Sequence, residues 1–235
     1  RTPCFMPVGT RAAVRTLTSA DLEKLGAEVI LGNTYHLMLK PGADLIERFG
    51  GLHGFADWHG HVLTDSGGFQ IFSLEPKVTD EGATFKSTYD GSYHHLSPEG
   101  SVEVQQKLGS DIQMVLDVCP PLPSTEAVVR AALERSVLWA GRAKAAQAPA
   151  RDAGSKQAQF GIVQGGITVA MRTESAQRTL DIGFDGYGIG GLSVGETRDE
   201  MLPALAAVTE VLPTERPRYL MGVGDPVSIV EAVAL

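Results

Sequence analysis

The chain has 235 residues, 43% of them hydrophobic and 20% charged, which is enough to bury one sizeable core, and we predict a single domain over residues 1–235. Its formal net charge of -8 excludes attraction of nucleic acid to the surface as a whole, so an RNA partner would need a local basic patch. Two cysteines, Cys4 and Cys119, cannot form a zinc site alone and fit a reducing cytoplasm, and the lack of an apolar run of ~20 residues excludes a membrane span.

The first part of the chain predicts two helices and three strands. An extended strand is predicted at residues 2–9, and the cap Thr18-Ser19-Ala20-Asp21 starts a helix that ends at Gly26. The apolar run at 27–31 predicts a buried strand that ends in polar residues. A helix follows at 41–49, and the run His61-Val62-Leu63 predicts the strand that leads to Asp65.

The middle of the chain predicts an insertion and the longest helix. Residues 77–96 have a period of two and two turn signals, which predicts a β-hairpin insertion. Ser97 then caps a helix with Pro98 at its first position, and a strand follows at 112–117. The longest predicted helix covers 124–147, followed by a polar connection at 149–156. Its predicted inward face consists of Val128, Ala131, Leu138 and Ala145.

The last part alternates strands and helices. Strands are predicted at 159–164, 185–189 and 218–221, with helices at 168–180 and 197–211 between them. Six parallel-type strands separated by helices predict an α/β fold of the TIM type, a (β/α)8 barrel with two units missing from this chain. Since the sequence starts without Met and stops inside a helical pattern, we expect an excerpt of a longer polypeptide.

Five predicted strand ends carry residue types suited to one binding site. Asp65 is followed by Ser66, two glycines and Phe69; the glycines allow close approach of backbone N–H groups, and the ring offers a stacking face. The other strands end in Asp117, Gln164, Gly190-Gly191 and Met221-Gly222. Because the βα loops of a barrel meet at one face, these groups predict a single site that fits a purine edge.

Four motifs resemble those of one enzyme family. They are Thr64-Asp65-Ser66-Gly67-Gly68-Phe69-Gln70, Gly161-Ile162-Val163-Gln164-Gly165-Gly166, Gly190-Gly191-Leu192-Ser193-Val194-Gly195-Glu196 and Arg218-Tyr219-Leu220-Met221-Gly222-Val223-Gly224. In this order they closely resemble the tRNA-guanine transglycosylases, over nearly the whole chain. The resemblance implies a TIM-barrel pentosyltransferase of queuosine biosynthesis. Such an enzyme exchanges the wobble guanine of tRNA for a 7-deazaguanine through a covalent enzyme–RNA intermediate.

The resemblance also implies roles for individual residues and partners. Asp65 is implied as the general acid/base. The implied base-binding residues are Asp65, Ser66, Gly67, Gly68, Phe69, Asp117, Gln164, Gly190, Gly191, Leu192 and Met221. The implied RNA-contacting loop consists of Gly222, Val223, Gly224, Asp225, Pro226, Val227 and Ser228. The implied partners are the anticodon loop of tRNA, the deazaguanine base and a second copy of the chain in a homodimer.

Three departures from the family pattern affect these expectations. The family's nucleophilic Asp lies beyond Leu235, as do the three Cys and one His that bind structural zinc, so zinc is expected only in the complete protein. Val118 stands where bacterial members usually carry an acid, which leaves the choice among deazaguanines open. Val194, in the same loop as Leu192 and Glu196, resembles the bacterial type and favours the aminomethyl precursor of queuine.

Simpler interpretations of the same residues remain open at the level of sequence. Asp65 alone could cap a turn, and Tyr35 and His36 are better explained by local hydrogen bonds than by ligand contact. A non-catalytic tRNA-binding partner subunit of the same family is one alternative function. Another is a barrel enzyme whose glycines at 190–191 or 222–224 bind the phosphate of a small molecule.

Overall fold

The computed structural model describes residues 2–235, in which it has nine strands and ten helices. The strands are β1 (Val29–Gly32), β2 (His61–Thr64), β3 (Lys77–Val78), β4 (Ala83–Lys86), β5 (Tyr93–Leu96), β6 (Ile112–Met114), β7 (Ala158–Val163), β8 (Gly186–Ile189) and β9 (Arg218–Leu220). The helices are α1 (Ser19–Lys24), α2 (Thr34–Leu39), α3 (Ala43–Arg48), α4 (Gly51–Ala56), α5 (Gly68–Phe72), α6 (Pro98–Leu108), α7 (Glu126–Asp152), α8 (Val169–Ile182), α9 (Arg198–Thr209) and α10 (Pro226–Val233). Arg1 lies outside the described residues.

Six strands form one parallel sheet in the order β1-β2-β6-β7-β8-β9. All six are strands that the sequence predicts, and helices separate them along the chain, so the parallel α/β architecture is confirmed. Within residues 2–235 the edge strands β1 and β9 are not paired with each other, and the closed (β/α)8 barrel stays a prediction. Because all six strands run in one direction, their carboxyl ends lie along the same edge of the sheet.

The parallel strands are buried on both faces, which explains their nearly continuous apolar sequences. All four residues of β1 and of β8 are buried, as are five of the six in β7. The sheet residues Leu63, Met114 and Ile162 belong to one core cluster together with Ala143 of α7 and Leu205 of α9. This core fixes the strand ends relative to one another.

The insertion between α5 and α6 has one strand more than the predicted hairpin. Its strands pair antiparallel in the order β3-β4-β5, with one turn between β3 and β4 and another between β4 and β5. Buried Phe85 of β4 packs in a cluster with Trp139 of α7, and the indole N–H of Trp139 donates to the Asp80 carbonyl at 2.8 Å. The small sheet is therefore attached to the longest helix.

Helix α7 extends past its predicted end, so the predicted polar connection at 149–156 is wrong for its first residues. The helix starts after the N-cap Thr125 and runs through Pro149 to Asp152. Proline lacks an N–H and normally disrupts a helix interior, but Pro149 is exposed and only one turn from the helix end. An ion pair between Arg151 and Asp185 attaches this last turn to the loop before β8.

The predicted inward face of α7 is also wrong. Val128, Ala131, Leu138 and Ala145 are all exposed. The buried stripe is offset from them and consists of Val129, Ala132, Leu133, Ser136, Trp139, Ala140, Ala143 and Gln147. Both stripes contain apolar residues at helical spacing, and the long-range contacts of Trp139 decide which of them faces the core.

Two adjacent valines of α7 allow a direct test of this orientation. We expect Val129→Ala to lower the free energy of unfolding by about 1.5 kcal/mol, because Val129 is 6% exposed and the change removes two buried carbon atoms. Val128→Ala removes the same atoms from a side chain that is 47% exposed, and its effect should stay within ~0.5 kcal/mol. Urea denaturation of the two variants checks the difference. Equal losses would contradict the observed face.

Several short elements differ from the predictions for the first part of the chain. Residues 2–9 form no strand; Val8 makes a single parallel bridge to Leu31. Helix α1 and strand β1 lie where predicted, whereas α2, α4 and α5 were not predicted. None of the helices described over residues 2–235 combines the length and the apolar character needed to cross a bilayer.

Candidate active site

The predicted site residues lie together at the carboxyl edge of the parallel sheet. Asp65, Asp117, Gln164 and Gly190 follow β2, β6, β7 and β8, which are consecutive neighbours in the sheet. All four residues are buried. The structure therefore brings together groups that are 125 residues apart in the sequence, between Asp65 and Gly190.

The Asp65 carboxylate is held by the end of the adjacent strand β1. One oxygen accepts the Asn33 side-chain amide at 2.5 Å, and the other accepts the Thr34 backbone N–H at 2.8 Å and that of Gly67 at 3.1 Å. The Thr34 hydroxyl also donates to the Asp65 carbonyl at 2.5 Å. These contacts fix both the backbone and the side chain, so Asp65 does more than cap its own turn.

Burial gives Asp65 an unusual affinity for its proton. Loss of solvent raises the pKa of Asp65, and the hydrogen bonds from Asn33, Thr34 and Gly67 offset part of that increase. Tyr219 of β9 is close enough to sense the Asp65 charge, and burial first and this charge second raise the pKa of its hydroxyl. A buried carboxyl group whose pKa is raised is a candidate for proton transfer.

Asp117 and Gln164 form a second polar pair across neighbouring strands. The Gln164 amide donates to one Asp117 oxygen at 2.6 Å, while the Ser66 hydroxyl lies 3.5 Å from the other. Burial, with a smaller contribution from the Asp65 charge, raises the pKa of Asp117 to about 6. The Gln164 side-chain oxygen is buried and accepts no hydrogen bond within the described residues. The pair therefore offers open acceptor capacity to N–H donors of a ligand.

Two glycines after β8 allow the backbone to approach Gln164 closely. A Cβ atom on Gly190 would lie 2.9 Å from the Gln164 amide nitrogen, and one on Gly191 would lie 2.3 Å from its oxygen. Gly191 also has a φ of +64°, which disfavours other residues. Any side chain at these positions would displace the amide of Gln164.

The apolar residues predicted for this site lie around the polar pairs. Phe69 stands in the first turn of α5 and is 61% exposed, so one face of its ring is available to a ligand. The Met221 sulfur lies 3.5 Å from the position of a Cβ on Gly190, and Leu192 is buried. The Glu196 carboxylate turns back onto its own loop and accepts the N–H groups of Ser193 and Val194.

The segment predicted to contact RNA is part loop and part helix. Residues 222–225 are a loop, whereas Pro226, Val227 and Ser228 form the first turn of α10. Asp225 caps that helix by accepting the Ser228 N–H at 3.0 Å. All of these residues except Val223 and Ser228 are exposed.

The sequence analysis did not predict two residues that hold Asp65, Asn33 and Thr34. The polar atoms of Tyr35 and His36 bond to Thr88 and Tyr89 of the insertion, each 53 residues further along the chain, so these are not the local hydrogen bonds that the simpler interpretation predicts. The residues that hold Asp65 are instead Asn33 and Thr34, the first polar residues after β1. Their position directly after the strand next to β2 was the signal that could have identified them.

The zinc ligands that the family resemblance implies lie beyond Leu235, so zinc stays an expectation for the complete protein. No group of three or more His, Cys, Asp or Glu side chains over residues 2–235 could hold a metal ion. Cys4 is exposed, whereas Cys119 is partly buried beside Asp117, and burial raises the pKa of its thiol to about 12. A thiol of that kind stays protonated and is a poor metal ligand.

Comparison with known proteins gives a consistent result. The sequence model of the family described as queuine tRNA-ribosyltransferase matches residues 1–235. A queuine tRNA-ribosyltransferase of Thioalkalivibrio sulfidiphilus is 53% identical over 234 residues, covering 99% of this chain and 62% of the relative. Those of Desulforudis audaxviator and Zymomonas mobilis are 52% and 50% identical, covering 99% of this chain and 62% and 61% of the relatives. The chain thus spans about three fifths of the length of these curated relatives.

Proposed function

The chain belongs to the queuine tRNA-ribosyltransferase family, and we propose that its protein replaces a guanine of tRNA by a 7-deazaguanine. The proposed reaction is a double displacement, in which the base leaves the ribose and a covalent enzyme–RNA intermediate forms before the new base enters. In this proposal the described residues recognise the base and transfer its proton. The sequence resemblance assigns the nucleophile to a later segment.

The observation that carries the proposal is the buried pair of Asp117 and Gln164 beside Asp65. A guanine edge presents N–H donors next to a carbonyl acceptor. The Asp117 carboxylate and the open Gln164 oxygen match the donors, and the Gly191 backbone N–H matches the carbonyl. An adenine edge carries donors and acceptors in other positions, so the same groups favour guanine.

Asp65 is proposed to exchange a proton with the base. Departure of guanine from the ribose requires a proton on the leaving base, and entry of the deazaguanine requires its removal. A carboxyl group whose pKa is raised by burial can hold the proton for the first step and accept one in the second. Asn33 and Thr34 keep it in position.

The finer features of the substrate also remain proposals. Leu192, Val194 and Glu196 are proposed to surround the substituent of the incoming base, with the aminomethyl precursor of queuine favoured by Val194. The loop at 222–225 and the start of α10 are proposed to contact the anticodon loop of tRNA. A homodimer is proposed from the family resemblance alone.

Two measurements test the proposed function. Calorimetry should show guanine binding to the 235-residue chain, and adenine binding should be much weaker. Labelled guanine should exchange into tRNA when the full-length protein is used. Absence of guanine binding by the folded chain would refute the base site, and absence of exchange by the full-length protein would refute the activity.

Phe69→Ala tests the stacking role separately from base recognition. We expect guanine to bind less tightly by about 1 kcal/mol, because one stacking face is lost and the polar partners remain. The preference for guanine over adenine should be unchanged. Phe72→Ala, at the end of the same helix, is the matched control. Loss of the guanine preference at unchanged affinity would contradict the stacking role.

The two alternative functions are less well supported by the site. A non-catalytic partner subunit has no physical need for a buried carboxyl group such as Asp65 with three hydrogen-bond donors. A phosphate site at the glycines of 190–191 would lie close to Asp117, whose negative charge repels phosphate. The alternative that remains is therefore the non-catalytic partner subunit, and the exchange assay distinguishes such a subunit from an enzyme.

A further inference from the structure

A buried arginine lies behind the wall of the candidate base site. Arg172 stands on α8, is 0% exposed and has no contact with solvent. Over residues 2–235 its guanidinium hydrogen bonds all end on backbone carbonyl groups, which belong to the last residue of β7 and to the loops after β7 and β8. Those carbonyls are Gly166 at 2.6 Å, Val163 at 3.2 Å, Gly190 at 2.6 Å and Gly191 at 2.9 Å.

Burying the charge of Arg172 costs free energy, which its hydrogen bonds to the two loops must offset. Burial lowers the pKa of the Arg172 guanidinium to about 10, so the group stays protonated at neutral pH. Four carbonyl oxygens replace its lost hydration, and they require the planar fork of a guanidinium. Two of them, from Val163 and Gly166, flank Gln164 along the chain, and the other two come from the glycines opposite it.

The hydrogen bonds to Gly190 and Gly191 set the direction of two consecutive peptide groups. A trans peptide places its C=O and its N–H on opposite sides. Since both carbonyls point towards Arg172, the N–H groups of Gly191 and Leu192 must point away from it. The Gly191 N–H therefore lies on the Cys119 side of this loop, away from α8.

We infer that Arg172 is a positioning residue for base recognition, which holds the Gly191 and Leu192 N–H groups towards the carbonyl of the bound base. This inference rests on the proposed function, because it assigns the source of the carbonyl preference within that site. Arg172 touches neither the base nor the reacting atoms. It acts by preventing the two glycine peptides from turning, which their lack of side chains would otherwise permit.

The test uses calorimetry of the chain with three bases. Guanine is compared with 6-thioguanine, whose sulfur is a weaker acceptor than the carbonyl oxygen. Guanine is also compared with hypoxanthine, which lacks the amino group that is proposed to face Asp117 and Gln164. In Arg172→Met the preference for guanine over 6-thioguanine should fall about tenfold, the scale of one hydrogen bond. The preference for guanine over hypoxanthine should stay as in the unmodified chain, since Asp117 is untouched.

Two further variants keep the test decisive. Arg172→Lys retains the charge but cannot reach four carbonyls at once, so it should lose part of the same preference. Arg178→Met, on the same helix, removes a partly exposed arginine that pairs with Glu134, and both preferences should survive. An unchanged 6-thioguanine ratio in either folded Arg172 variant would overturn the inference. Failure of both to fold would make Arg172 purely structural and overturn it as well.

The outcome also separates this inference from the proposed function. If the unmodified chain is folded and binds no guanine, then the proposed base site fails and the inference fails with it. If the unmodified chain binds guanine and the Arg172 variants keep every ratio, then only the positioning role of Arg172 fails.

Discussion

Replacing Asp65 by Asn is expected to slow guanine exchange by roughly 10²–10⁴-fold in the full-length protein, the usual contribution of a general acid/base. An amide can neither supply nor accept the proton of the leaving base. The substitution should leave the fold intact, because the Asn oxygen can still accept the N–H groups of Thr34 and Gly67. Asn33 can turn its side-chain oxygen towards the new amide group and so avoid facing two donors against each other.

Three measurements on this variant separate the roles of Asp65. Exchange of labelled guanine gives the rate, calorimetry should show guanine binding largely retained, and a tRNA adduct should still form but more slowly. Asp111→Asn is the matched control, because Asp111 also accepts a backbone N–H, at 2.7 Å from Val62, but lies before β6 at the opposite end of the strand. Full exchange activity in Asp65→Asn would remove Asp65 from the chemistry. Complete loss of the adduct with guanine binding intact would make Asp65 the nucleophile.

The sheet was predictable because its signals are local. Each parallel strand is a short apolar run bounded by turn residues, and the first five lead to a polar residue or a glycine pair, whereas β9 leads to Met221-Gly222. The short helices α2, α4 and α5 were not predictable in this way, since five or six residues carry too little periodicity. The buried side chains of Tyr35 and Leu37 in α2 show that packing, and not propensity, fixes that helix.

The candidate site was predictable only in part, for a related reason. Asp65, Asp117 and Gln164 stand at strand ends, and strand ends of a parallel sheet meet at one edge. The contacts between those residues depend on which strands are neighbours, which no local pattern specifies. Asn33 binds Asp65 because β1 is next to β2, and Arg172 reaches Gly190 because α8 packs behind β7 and β8.

Asp117→Asn is expected to weaken guanine binding at pH 8 by about 2–3 kcal/mol. The base donors lose a charged acceptor, and one hydrogen of the new amide group faces a donor on the base. Gln164 can turn its amide and present its oxygen to the new residue, so the fold should be retained. Calorimetry of the 235-residue chain measures the loss. Unchanged affinity in the folded variant would place Asp117 outside the base site.

The pH dependence of guanine affinity gives an independent check on the same residue. Burial raises the pKa of Asp117 from its ordinary value of 3.8 to about 6, and the base donors require the ionised form. Guanine affinity should therefore rise about tenfold per pH unit below 6 and level off above it, whereas guanine stays neutral throughout.

The free energy of unfolding of the unliganded chain should change with pH in the opposite direction. The stability that the protonated Asp117 contributes is complete below 3.8 and is lost as the pH rises through about 6. Asp117→Asn should remove the pH dependence of affinity that Asp117 causes and the share of the stability trend that Asp117 contributes, while the share of Asp65 remains. Calorimetry and urea denaturation of the two proteins between about pH 4.5 and about pH 8 measure the difference. A pH profile of guanine affinity that is the same in both proteins would show that Asp117 does not bind the base in its ionised form.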